Sequence, residues 1–266
     1  MTDSATTTPR ITLDRDGHVL RIGLNRPDKR NAADWRMLQE LALAYGELER
    51  DPELRVGLVY AHGDHFTAGL DLADVSGRIG PDGLDLVPEG GIHPWQVDGT
   101  SLTKPVVLAV QGLCLTLGIE LALASDVVVA AEGTRFGQIE VSRGILPFGG
   151  ATIRFPRAAG WSNAMRWILT GDEFDAAEAH RIGIVQDVVP DGTQLEHATA
   201  IAQRIAAQAP LAVQAALANA RLAVREGDAA AEARLQPELV RLAASEDAAI
   251  GIQSFLNRVE ARFVGR

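Results

Sequence analysis

A chain of 266 residues with 47% hydrophobic and 23% charged content has the composition of a folded globular protein, long enough to bury a sizeable core as one large domain or a domain with an appendage. Its net charge of −10 opposes non-specific attraction to nucleic acid or to an anionic membrane surface, so neither is expected as a partner. The single cysteine, Cys114, excludes both an intrachain disulfide framework and a cysteine-built zinc site.

The first ten residues, MTDSATTTPR, have neither the apolar core of a secretion signal nor the Arg-rich amphipathic character of a transit peptide. No run approaches the ~18 apolar residues of a membrane helix. A disordered lead over 1–9 and a cytoplasmic location are expected. ITLDRDGHVLRIGLN (11–25) then alternates apolar and polar positions on either side of Asp16 and Gly17, which predicts a hairpin. Asp34 caps a helix running to about Arg50, with Leu38, Leu41 and Tyr45 at helical spacing, and VGLVYA (56–61) returns as a buried strand. Residues 76–100 are crowded with glycine and proline, and read as either a lid over a binding site or a mobile connector. His93 and Trp95 within this loop either line a pocket or hold the loop down as a local cluster. PVVLAV (105–110) and DVVVAA (126–131) are predicted strands, with a helix between them through GIELALA. From about 161 onward the pattern is helical: SNAMRWILTG, DAAEAHRIG, an Ala-rich stretch over 193–225, another over 228–247, and a last one over about 249–262.

Within LTLGIELALASD (115–126) a lone carboxylate, Glu120, stands among leucines and an isoleucine. Burying an ionised carboxylate costs several kcal/mol unless it is paired, hydrogen-bonded or protonated. A structural ion pair or a wet helix face would explain it, and so would an acid used in catalysis. Glu140, in the glycine-bounded stretch RFGQIEVSRGILPFGG (135–150), is a second candidate. Two carboxylates facing one cleft can divide the work of base and acid when their surroundings push their pKa values apart. Gly112 and Gly118 flank the predicted start of the helix bearing Glu120, where free N–H groups favour an anion or a developing oxyanion.

Six stretches in order resemble the crotonase superfamily, the enoyl-CoA hydratase/isomerase family, over about residues 11–263. They are LNRPDKRNA (24–32), FTAGLDL (66–72), KPVVLAVQGLCLTLGIELALASD (104–126), FGQIEVSRGILPFGG (136–150), LTGDEFDAAEAHRIGIVQDVVP (169–190) and SFLNR (254–258). The resemblance implies an α/β class fold. Its crotonase-like spiral of ββα units would occupy 10–190, and a helical C-terminal region over 191–266 would serve oligomerisation and the acyl-CoA site. It further implies a homotrimer or a dimer of trimers acting on an acyl-CoA thioester, with coenzyme A as part of the substrate and no metal or redox cofactor. Two backbone N–H groups, of Leu70 after Gly69 and of Leu117 before Gly118, would hold the thioester oxygen. Position 117 is usually glycine in the family; a leucine keeps the N–H while its side chain could narrow the approach.

By the same resemblance Glu120 activates the attacking water and Glu140 exchanges the proton at the α-carbon, giving syn hydration of a trans-2-enoyl-CoA. Arg26, Lys29, Arg30 and Arg258 would meet coenzyme A, with the backbone of Ala68 at the adenine and Asp71 among the CoA-binding residues. Gly149, paired with Gly150, would leave room beside the water, and Phe148 either restricts the acyl pocket or packs. Double-bond isomerisation, another thioester-enolate reaction, and a catalytically weak acyl-CoA-binding protein are the competing expectations.

Overall fold

The computed structural model describes residues 8–81, 83–97 and 101–266; the lead expected over 1–9 lies largely outside them, as do positions 82 and 98–100 of the loop. The hairpin forms from β1 (Ile11–Asp16) and β2 (Val19–Leu24), turning at Gly17 with φ 59. Asp34 then caps α1 (Trp35–Arg50), its side chain accepting the Met37 N–H at 2.9 Å. The chain returns as β3 (Val56–Ala61), makes the short α2 (Leu72–Val75), and crosses the Gly/Pro-rich loop, whose described residues hold one turn of 3-10 helix, Ser76–Arg78, and an isolated antiparallel bridge, Gly80–Gly83.

Beyond it come β4 (Val106–Val110), β5 (Leu113–Leu115), α3 (Leu117–Ala124), β6 (Val127–Ala131) and β7 (Arg135–Gly137). Then follow α4 (Ala151–Ala159), α5 (Trp161–Thr170), β8 (Glu173–Asp175), α6 (Ala176–Arg181) and β9 (Asp187–Val189). Four helices close the chain: α7 (Gln194–Ala206), α8 (Pro210–Glu226), α9 (Asp228–Ala243) and α10 (Glu246–Asn257).

The large sheet has the order β1-β2-β3-β4-β6-β9, parallel from β2 onward, and a small sheet has the order β5-β7-β8. Parallel bridges Ala33–Leu70 and Thr67–Cys114 extend the small layer, so each turn of the chain lays one segment in each layer. The period of two along the strands divides the core. Val56, Leu58, Val107, Ala109 and Val129 face Ala198, Ala202 and Ala206 of α7, while Val59, Leu108, Val110 and Val128 face the main core with α1 and α3. The alanine stripe at i, i+4 lets α7 lie close on the sheet.

The expected Ala-rich helix over 193–225 is two helices, because Pro210 can start α8 but has no N–H with which to continue α7. The stretch expected over 228–247 ends at Ala243, and Ser245 caps a new helix by accepting the Ala248 N–H at 3.1 Å; the last helix therefore spans Glu246–Asn257 rather than about 249–262. Gly112 does not adjoin α3 as expected: β5 intervenes, and Thr116 is the residue before the helix.

Candidate active site

Glu120 lies in the first turn of α3 and is wholly buried. One carboxylate oxygen, Oε1, accepts the Ala151 backbone N–H at 3.0 Å, and Oε2 has no hydrogen-bond partner among the described residues. Gly149 passes so close that a Cβ there would stand 2.6 Å from Oε2 and 3.0 Å from Cδ1 of Trp95. Position 149 must therefore be bare. Burial pushes the Glu120 carboxyl up to about 7, the Ala151 N–H acts against this, and the charge of Glu140 adds to it.

Glu140 opens a 3-10 turn, Glu140–Arg143, and is 4% exposed. Its Oε1 accepts from Gln138 Nε2 at 2.8 Å and its Oε2 is unpartnered. Burial again dominates, raising this carboxyl to about 7. Two acids poised near neutrality, each with a free oxygen and one sensing the other's charge, suit proton exchange with a ligand.

The backbone around residues 67–70 is tied down on both sides. Thr67 N–H donates to Leu113 O at 2.9 Å, Ala68 N–H to Arg30 O at 2.9 Å, and Ala33 N–H to Gly69 O at 2.8 Å. Among the described residues the Leu70 N–H has no acceptor. Nor has the Leu117 N–H, which as the first residue of α3 stands outside the helical ladder. Leu70, Leu117, Ala68, Thr116, Glu140 and Phe148 line one cavity of about 160 Å³. Glu120 is not among its lining residues; its carboxylate stands against Gly149, three residues along α3 from Leu117. A second, largely apolar cavity of about 1570 Å³ shares Leu70, Leu72, Arg143, Ile145 and Phe148 with the first and is otherwise walled chiefly by the Gly/Pro-rich loop.

Thr116 joins β5 to α3 with φ 51 and ψ −110, a region that a β-branched residue enters at a cost of about 1–3 kcal/mol. Its hydroxyl is buried without a partner. Nothing in the sequence singled it out. Two more contributors were also missed: Ala151, whose N–H holds Glu120, and Arg143, exposed and shared by both cavities. Trp95, left open between pocket and local cluster, is buried, stands edge-on to His93 and donates from Nε1 to Leu117 O at 3.0 Å.

The basic run divides. Arg26 turns inward, donating to Asp71 at 2.7 Å and to Ala32 O at 2.9 Å, with Asp34 3.4 Å away. This hydrogen bond holds the Asp71 carboxyl below the usual carboxylate range, so Arg26 and Asp71 brace the loop. Lys29 and Arg30 are exposed beside it. Buried Asn31 fastens the turn by donating to His62 O and His65 O at 2.9 and 2.8 Å. Gly118 packs on Thr67, where a Cβ would meet Cγ2 at 2.8 Å. Arg258 ends α10 in the left-handed region with φ 56; it is exposed and lines neither cavity. The Leu117 side chain packs in the main core, whereas Phe148 is among the residues that border both cavities.

The family model for enoyl-CoA hydratase/isomerase matches residues 14–266. This chain belongs to that family. A curated relative, enoyl-CoA hydratase EchA19 of Mycobacterium tuberculosis, is 34% identical over 253 residues, covering 94% of this chain and 90% of the relative. The 2,3-dehydroadipyl-CoA hydratase of Escherichia coli is 34% identical, over 96% of this chain and 99% of its own. Among solved structures, that of a probable enoyl-CoA hydratase/isomerase from Mycobacterium abscessus is 63% identical with a TM-score of 0.94, covering 97% of this chain and 99% of the other. The α/β spiral with its helical C-terminal region is thus the crotonase fold, and the chain is a crotonase-superfamily enzyme.

Proposed function

We propose that this enzyme reversibly adds water across the double bond of a trans-2-enoyl-CoA. The observation that carries the reading is a small cavity lined by Leu70, Leu117 and Glu140, with the Leu70 and Leu117 N–H groups free of acceptors among the described residues and Glu120 three residues along α3 from Leu117. A thioester oxygen between the two N–H groups would gain negative charge as water adds, and donors fixed in advance stabilise that charge without reorganising. Ionised Glu120 takes a proton from the water as its oxygen bonds to the β-carbon; protonated Glu140 delivers a proton to the α-carbon. One water is consumed and the pair ends with its protonation exchanged, so the step balances without oxidant, reductant or metal. Lys29, Arg30 and Arg258, exposed and cationic, are the side chains offered to the phosphates of coenzyme A. The working form is a homotrimer or a dimer of trimers.

A second reading draws on one observation: Glu140 lines the cavity and Glu120 does not. A single accessible acid suits proton transfer between carbons, the chemistry of a double-bond isomerase. The deciding experiment follows enoyl thioester absorbance on mixing the protein with crotonyl-CoA and with a longer trans-2-enoyl-CoA, identifying the product by mass. A 3-hydroxyacyl-CoA is expected. A shifted double bond without mass gain would establish the isomerase instead.

A further inference from the structure

The geometry points to the Thr116 hydroxyl as a third donor to the thioester oxygen, beside the Leu70 and Leu117 N–H groups; this rests on the reading that the small cavity receives the thioester. The backbone of Thr116 gives no reason for a threonine. Its N–H donates to Gly137 O at 2.9 Å and its carbonyl accepts the Glu120 N–H at 3.1 Å, and glycine would make both bonds while relaxing at φ 51. The side chain is what distinguishes threonine here, and its polar atom is unused: the residue is 9% exposed and Oγ1 has no partner among the described residues.

The position of that atom is specific. Thr116 directly precedes Leu117, and Oγ1 lies against Gly69, which directly precedes Leu70; any side chain at 69 would collide with it. The hydroxyl therefore packs against Gly69, so that the two residues immediately preceding the acceptor-free donors meet at this oxygen, and Thr116 itself lines the cavity that Leu70 and Leu117 share. A threonine hydroxyl has one proton to give and rotates to aim it. Glu140 lines the same cavity, but the hydroxyl is not bonded to it, which leaves the proton for a ligand oxygen. As the thioester becomes enolate-like, this third bond strengthens, and removal of one such donor costs on the order of 10²-fold in turnover.

Three variants test the assignment. T116V keeps the branched shape and T116A the small volume, both without the hydroxyl; T116S keeps the hydroxyl. Hydration kinetics should show kcat reduced about 10²-fold in T116V and T116A with KM little changed, and T116S near the parent. A conjugated aryl-acrylyl-CoA supplies a second readout, because polarisation of its carbonyl shifts its absorbance to the red on binding, whether or not hydration occurs. That shift should shrink in T116V and T116A and persist in T116S. Equal kcat and equal red shift in parent, T116V and T116A would overturn the proposal, as would a T116S as slow as T116A at the same melting temperature. A parent that shifts the probe but hydrates nothing would overturn the hydratase reading alone, and the shifts of the variants would still decide the role of Thr116.

Discussion

Glu120 and Glu140 each carry a carboxyl raised to about 7 by burial, so at neutral pH the pair is readily found with one proton between them. Hydration requires that state: one acid to give a proton, one carboxylate to take one. kcat/KM against pH should therefore be bell-shaped with its maximum near 7, falling on the acid side as the base is protonated and on the alkaline side as the acid is lost. Substituting either acid by glutamine should remove its proton-transfer role and lower kcat by about 10²–10⁴-fold in a protein that melts like the parent. An E120Q that hydrates as fast as the parent would remove Glu120 from the reaction. The same shifts act on stability. Each folded value lies above the ordinary 4.5, so the folded state holds protons that the unfolded chain releases. The resulting stabilisation is complete below about 4.5 and is lost as pH rises through about 7. Thermal melts between pH 5 and 8 should show a falling melting temperature that is flatter in the double glutamine variant. Both acids were legible in the sequence as carboxylates in apolar or glycine-bounded stretches. Thr116 was not, because its signal is a dihedral angle and an empty hydrogen-bond position rather than a residue pattern.

At the scale of elements, the long glycine- and proline-rich loop is fixed to the site at its C-terminal end. Trp95 donates to Leu117 O at 3.0 Å, and Arg154 of α4 reaches Gln96 O at 3.0 Å and Gly149 O at 3.2 Å. Between that anchor and α2 the loop walls the cavity of about 1570 Å³, with Trp35, Ile79, Leu84, Leu86 and Ile92 among its apolar lining. Each buried CH₂ contributes about 0.8 kcal/mol, roughly fourfold in affinity. Saturated acyl-CoAs, which bind without reacting, should therefore tighten by well over tenfold from butyryl to decanoyl, as measured by calorimetry. Equal affinities would mean that the cavity does not receive the acyl chain. The loop was evident in sequence from its composition, but its wall was not, since which turns face inward is decided by the anchor at Trp95 and Gln96. The three-residue strands β5, β7, β8 and β9 escaped for a simpler reason: three residues hold too little of a period of two to read. Helix α4 was hidden by Pro156 within it and by a start on left-handed Gly150, φ 101, with no side-chain cap.

At the scale of the molecule, the strands of the large sheet and α7 satisfy one another, whereas α9 and α10 do not. Leu235, Leu239 and Val240 on α9, and Ile252, Phe255 and Leu256 on α10, remain exposed, Phe255 by 83%. Helical spacing makes these residues legible in sequence as apolar faces. What covers them is not written there, because the sequence of a face needing a core and that of a face needing a partner are alike. The α8–α9 pair packs on itself, and buried Asp247 in the first turn of α10 receives the N–H groups of Val264 and Gly265 at 2.7 and 3.0 Å, folding the chain end back on the helix. The exposed side chains are thus presented by well-anchored elements, and contiguous apolar surface on such elements is characteristic of subunit contacts. The homotrimer or dimer of trimers proposed for the working enzyme would cover them. Light scattering during gel filtration should give a mass three or six times that of the chain, and the F255D/L256D variant should shift it toward the single subunit, since each buried carboxylate would face an apolar neighbour without a partner. A parent that elutes as a monomer, or a double variant that keeps the full assembly, would show that these helices face something other than copies of the same chain.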